Sequence, residues 1–577
     1  MKSFLLTASI LIIIGSSVSA VVIQVPSDQP TIQAGLDAAL SGDIVLVAPG
    51  VYTESLEWPG LAVLTLRGEF PENRPVVSAP ADKRCLHYTP GASGTEIRIE
   101  HVVFENGAPV NQSGGALYVT NCRVQIDDCV FRNNDAGQDG GGAYFSTCEV
   151  SIANSVISDN HSIDQGGGGY FDECGIALLN CTVERNDTGV AEYVHSDGLG
   201  LYLINCHGSV SHCAIRDHGN AYIDGSGIYA RGDIDFIGNT FESNEQQGSD
   251  YYGGALNVWG PCLVRNNLFS ANVGIGSAIV AGGGVDIENC LFLGNTSSFP
   301  GTGAILALDQ TDVSFCTFVS NTSAGVQVLN SMDPVPIHHC IFSGNQVGIA
   351  NYNGNSSVHS GYNAFWNNGT DYSAVSPGDG DLHGSDPLFV TGPQGAHYLS
   401  QTVAGQSQTS PCVDAGDPET GASPGGTTRT DEVPDEGRVD LGYHFSAPDS
   451  PPLPTPTATP ATWTGVRLTL PDTDLLAGDR FVLTATCRTP TGQTVADLYG
   501  VLDVFGEYFF YPSWSTTPES ATIALEPEVA VDRTILDFIW PAGDFGAVSD
   551  LQIWGAILEP GTTFVIGEID SVSFGYR

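Results

Sequence analysis

The sequence predicts an all-β solenoid, a stack of coils built from parallel strands, and three observations carry that reading. One pattern, [CSN]-x-[FIV]-x-x-N, returns ten times between Cys129 and Asn368 at a mean spacing of 26 residues. Apolar residues alternate with polar ones just ahead of it, as in Val124 and Ile126, Val150 and Ile152, Ile176 and Leu178, Val285 and Ile287. Glycine runs open a further stretch in several copies: GGALYV at 114, GGGAYF at 140, GGGGYF at 166 and GLGLYL at 198. A repeat of this length is one unit that cannot bury its apolar face alone, so successive units stack. About thirteen coils are expected.

Within a coil, alternation sets direction, because successive side chains of a strand face opposite ways. Val124, Ile126 and their equivalents point inward, and the column Cys122, Cys148, Cys174 and Cys206 shares their parity. The motif then turns Cys129 and Phe131 inward, and Asn134, Asn160 and Asn186 mark the corner. Nine of ten repeats keep that asparagine, His218 being the substitute, and stacked amides can hydrogen-bond from coil to coil. The chain has 14 cysteines. Cysteines at equal positions in neighbouring coils stand about 4.8 Å apart, beyond the Cβ separation of about 3.8 Å in a disulfide. Buried thiols are therefore expected, and no paired C-x-x-C suggests a metal.

Taken in order, residues 1–20 read as a secretory signal, with Lys2, an apolar run from Phe4 to Ile14 and the small residues Val18-Ser19-Ala20. The mature protein is expected outside the cytoplasm, secreted or at the cell surface, and no later run is long enough to cross a bilayer. Pro30 to Leu40 reads as a short helix with Ile32, Leu36 and Leu40 on one face, placed to cap the first coil.

The stretch VPSDQPTIQAGLDAALSGDIVLVAPGVYTE resembles the opening of secreted bacterial right-handed parallel β-helix proteins with a pectin-lyase-like fold. The closing stretch, with TSPCVDAG at 409 and RVDLG at 438, is similar to the end of many such proteins and is read as the last coil and C-terminal cap. The resemblance covers residues 21 to about 445 and implies a right-handed β-helix, 21–446, capped at both ends. The GGA and F-x-x-N repeats also resemble autotransporter passengers, but the tail is too short for their barrel. Residues 447–462 form a Pro/Thr linker. Residues 463–577, with runs such as RFVLTAT and LYGVLDVFG, read as an antiparallel β-sandwich module. Its aromatic cluster, Tyr508 to Tyr511 with Trp514, is a candidate sugar or anchoring surface.

A formal net charge of -46 disfavours nucleic acid and anionic membranes as partners and makes calcium the candidate cation. The best candidate site is an outward column, Tyr118, Tyr144, Tyr170 and Tyr202, on which sugar rings of an extended polysaccharide could stack, one per coil. Asp139, Asp164, Asp197, Asp224 and Asp250 precede the glycine runs and would form an acidic rim able to hold calcium or orient hydroxyls. Tyrosines also suit any pleated surface and aspartates any turn.

The pectin-lyase-like resemblance implies lyase or hydrolase activity as an alternative. The sequence offers little for it. Asp127 and Asp128 are adjacent and so face opposite ways unless a bend intervenes, no basic residue stands out as a lyase base, and His195, His212 and His218 read as turn or surface residues. The expected function is non-catalytic: binding extended polysaccharide, or serving as an adhesive or structural spacer.

Overall fold

The computed structural model describes residues 21–446 apart from 91–93, 190–197, 221–224, 247–252, 298–301, 353, 355, 420–424 and 436, together with strands between Gly465 and Tyr576. The chain divides into two units, Met1–Pro451 and Pro452–Arg577.

The first unit is a parallel solenoid. One coil in its N-terminal third runs through the strands Leu117–Thr120, Arg123–Asp127, Val130–Arg132 and Asp135–Ala136. Each pairs in parallel with its equivalent one repeat later, so the rows build a 25-stranded sheet, a 14-stranded sheet and shorter ones. Val124, Ile126, Val150, Ile152, Ile176 and Leu178 are buried, as the alternation requires. Phe241, Phe269, Phe292, Phe318, Phe342 and Phe365 stack along the core with ring centroids 4.6–5.1 Å apart.

The corners explain the motif. Asn121, Asp128 and Asn133, and the residues aligned with them in the next three coils, hold φ between 48° and 57°. That left-handed conformation strains most residues but is tolerated best by Asn and Asp. The turning residue is therefore Asn133, one position before the asparagine expected at the corner. Asn134 comes next, with its side chain buried. Its Nδ2 donates to Asn160 Oδ1 (2.9 Å) and to Phe104 O (3.2 Å), while Asn160 Oδ1 also accepts the Asn134 backbone N–H (3.2 Å). The same bonds recur down the column to Asn368.

His218 belongs to this buried column and is no surface residue. Its Nδ1–H faces Asn244 Oδ1 at 2.9 Å and its Nε2 faces Asn186 Nδ2 at 3.4 Å, so the neutral ring copies the donor and acceptor of an amide.

The first motif position takes Cys, Ser or Asn for a related reason. The backbone N–H after the second corner meets Ser155 Oγ from Cys129, Cys213 Sγ from Cys181 and Asn239 Oδ1 from Cys213. Any small acceptor on the next coil serves. The solenoid cysteines are buried thiols without disulfides, and burial pushes Cys85 and Cys129 up to about 12, which removes them as nucleophiles at neutral pH.

At the N-terminal end the helix is Ile32–Ala38, N-capped by Thr31, and Glu54 accepts the N–H groups of Ile32 and Gln33 (2.9 Å each). Ile32 and Leu36 are buried. Leu40 is exposed, because the helix stops before completing the turn that would bring it inward.

The closing segment does not stack as a last coil. Residues 439–445 fold back along the outside of the solenoid. Gly442 N–H donates to His339 O (2.8 Å), Tyr443 N–H to Thr317 Oγ1 (2.9 Å) and His444 N–H to Asn289 Oδ1 (2.6 Å), while Asn289 Nδ2 donates to His444 O (2.8 Å). Asp440 ties the two halves of the closing motif, accepting from Asp414 N–H (2.7 Å) and Thr428 Oγ1 (2.5 Å). Leu441 buries against Ile341, Ala364, Leu399 and Cys412. This apolar patch on the outer side of the rungs draws the segment there.

In the second unit, Arg480–Arg488 pairs antiparallel with Gly465–Thr469 and Val531–Ile539, and Val495–Val504 pairs antiparallel with Val548–Leu558 and Glu507–Phe510. Tyr508, Phe509 and Phe510 fall in the last of these strands. Tyr511 and Trp514 lie outside the described residues.

Candidate functional site

The inner faces of the solenoid are filled, so chemistry is available only on outer faces. On the row that contains Leu117–Thr120, the alternation turns Tyr118 outward, and strict register places Tyr144, Tyr170 and Tyr202 directly beyond it. Tyr229 extends the column to five. It follows GSGI, a variant of the same glycine run, so its signal was present in the sequence.

The rings stack on one another, with centroids 4.9, 5.1, 5.2 and 5.0 Å apart and planes within 4–18°. Coplanar rings would collide at that spacing, so each tyrosine turns a face to its neighbour and leaves its edge and hydroxyl for solvent. The expected floor of open ring faces is thus a stripe of hydroxyls. Among the described residues the hydroxyls of Tyr118, Tyr144 and Tyr170 make no hydrogen bond. Burial first, then neighbouring Tyr118, Asp172 and Asp139, pushes Tyr144 up to about 12, and Tyr170 rises further for the same reasons, so both remain O–H donors at neutral pH.

Charge lines this stripe on both sides. Asp139 precedes the strands, accepts from Ser113 Oγ (3.4 Å) and the Gln165 N–H (3.3 Å), and has a raised pKa through burial, with Asp164 adding to the rise. Asp172 follows Tyr170 by two residues on the same outer face. At the N-terminal end the Arg84 guanidinium lies 4.8 Å from the centroid of the Tyr118 ring.

The expected calcium rim is only partly visible. Asp197, Asp224, Asp250 and His195 lie outside the described residues. Among the described residues no three His, Cys, Asp or Glu side chains come close enough to hold a metal ion. Asp139 and Asp164 supply two carboxylates where calcium takes six to eight oxygens.

A second group of polar side chains sits farther along, on the neighbouring strand row. Asp286 and Asp312 stand in register on adjacent rungs. His338 Nε2 is 3.4 Å from Asp312, and Arg265 Nε is 3.2 Å from Glu288. Burial raises Asp286 and Glu288, and the nearby Asp312 adds to both. Sequence reasoning missed the group, although Asp286 and Asp312 each stand four positions before a motif cysteine.

Comparison with known proteins agrees with this architecture. The family model described as right handed beta helix region matches residues 87–259 and 199–365. Over this stretch the chain is similar to that family, and its strands form the parallel solenoid described above. A solved structure, that of the PL6 family alginate lyase AlyGC, is similar over 70% of this chain and 58% of its own, at 14% identity and a TM-score of 0.32. The chain thus spans little more than half of that lyase, and a likeness of this size says nothing of its chemistry. No curated protein matches the sequence.

The β-helix separates the carboxylates that looked paired. Asp127 accepts from Asn154 Nδ2 (2.8 Å), whereas Asp128, on the corner, contacts Arg74 and His101. His212 occupies an exposed corner with φ 53°. In the described residues no helix is long and apolar enough to cross a membrane.

Proposed function

We propose that the protein binds an extended polysaccharide along the outer face of the β-helix, from Tyr118 to Tyr229, without cleaving it, and that it works outside the cytoplasm, secreted or at the cell surface. One observation supports this most: five tyrosines in register, 4.9–5.2 Å apart, with hydroxyls of the first three free to donate and accept. Their spacing is close to the advance of one sugar in an extended chain, so each coil meets the next sugar in an equivalent position. The C-terminal strands are read as a sandwich module beyond the Pro/Thr linker, with anchoring or a second binding surface as its part.

The stacking also chooses the test. Tyr144→Phe with Tyr170→Phe keeps the stack and removes two hydroxyls. Electrophoresis through native gels cast with different polysaccharides should show the wild type retarded in at least one and the double variant running free. Equal retardation of both would refute the hydroxyl stripe.

A second reading, hydrolysis, rests on Asp286 and Asp312. Adjacent rungs hold their backbones about 4.8 Å apart, near the separation of about 5–5.5 Å between the carboxyl groups of a retaining glycosidase. A cleared zone in any such gel, lost in Asp286→Asn, would favour it over binding alone.

A further inference from the structure

We infer that the polysaccharide taken by the tyrosine stripe carries free amine cations, as an amino-sugar polymer does, rather than uronate anions. The inference rests on the binding reading above and adds to it the chemical class of the ligand.

Its first support is the charge that frames the stripe. Asp139 lies before the strands and Asp172 beyond them, and both act electrostatically on the hydroxyls of Tyr144 and Tyr170. Neither is paired with a basic side chain among the described residues. Asp139 has only the Ser113 hydroxyl and the Gln165 N–H as partners, and Asp172 only the Asn205 amide at 3.4 Å. A uronate chain laid on these hydroxyls would bring a carboxylate beside two more, and Arg84 lies at the Tyr118 end of the stripe rather than beside them. A neutral chain would leave both aspartates without a partner. An amine on every sugar would pass close to both.

A second, independent support is that the stripe already holds one cation. Arg84 sits over the Tyr118 ring at 4.8 Å, where the electron-rich face attracts a guanidinium. An ammonium group entering farther along would meet the hydroxyl oxygens, with two carboxylates added.

The protein's overall charge of -46 would draw in any polycation, so the test must separate the site from the bulk field. Titration calorimetry at physiological salt would compare short oligomers of glucosamine, N-acetylglucosamine, glucose and a uronic acid, with calcium and with chelator. The variants are Asp139→Asn with Asp172→Asn, and Tyr144→Phe with Tyr170→Phe. Glucosamine oligomers should bind tightest, by about fivefold over their N-acetylated counterparts, the upper range of an exposed ion pair. The gap should close in the double asparagine variant, and the double phenylalanine variant should weaken every oligomer that binds.

A preference that survives the asparagine substitutions would overturn the inference, since bulk charge would explain it. So would equal affinity for amine and acetylated oligomers, or calcium-dependent binding of the uronate; in each of these the polysaccharide reading would stand. Failure of every oligomer to bind would remove the polysaccharide reading and this inference together.

Discussion

Residue by residue, the motif is a hydrogen-bonding device. Asn160 is typical of the Asn134 column: its Nδ2 donates to Phe131 O on the preceding coil and to Asn186 Oδ1 on the next, and Asn186 Oδ1 also accepts its backbone N–H. His218 shows what the position demands. Its ring is fully buried, and burial lowers its pKa from 6.5 to about 4. The unfolded chain therefore takes up the proton first, so the stabilisation from a neutral His218 is complete above pH 6.5 and lost as pH falls toward 4. His218→Ala should cost about 2–4 kcal/mol, because it strands Asn186 and Asn244. His218→Asn should stay within about 1 kcal/mol of wild type. Urea unfolding at pH 7 and pH 5 would check both: the asparagine variant should lose less stability on acidification than wild type. The sequence showed this column plainly. It did not show which residue carries the turn, because Asn133 and Asn134 are both compatible with a corner and only backbone dihedrals distinguish them.

Among the elements, the rows of the β-helix were legible because their contacts lie one repeat apart, whereas the return of residues 439–445 was not. His444 meets Asn289 across 155 residues, and no periodicity announces such a contact. Asp440 should be its fastening point. Asp440→Ala removes the acceptor of the Asp414 N–H and the Thr428 hydroxyl, and hydrogen exchange should show the amides of Gly442, Tyr443 and His444 losing protection while the Asn ladder keeps it. Asp435 gives this segment a pH response. Burial first, and Asp440 second, raise it to about 7. The folded state then favours the protonated form, so its contribution is full below the ordinary carboxylate range of about 4 and is lost as pH rises through 7. Protection factors of those amides should fall between about pH 4 and 7 and level off above that, and Asp435→Asn should flatten that fall. An unchanged profile would show that another group controls the segment.

At the level of the whole molecule, the chain divides into two units between Pro451 and Pro452, within the Pro/Thr stretch of the sequence. Limited proteolysis should cut within residues 447–462 and release two fragments that stay folded, since each unit has its own paired strands. A single protected fragment would contradict that division. The proposed stripe was half legible: register made the tyrosine column readable, but the sequence could not show that its rings would face one another. In the proposed binding mode, that difference moves recognition from ring faces to hydroxyls. It also makes recognition additive along the axis, because every coil repeats the same contact. Affinity as a function of oligosaccharide length, for whichever chain retards the protein in native gels, tests this most directly. The account predicts that affinity climbs with each added sugar up to about five, one per tyrosine from Tyr118 to Tyr229, and then levels off. Affinity that is already maximal for a disaccharide would place recognition in a single pocket and contradict the stripe.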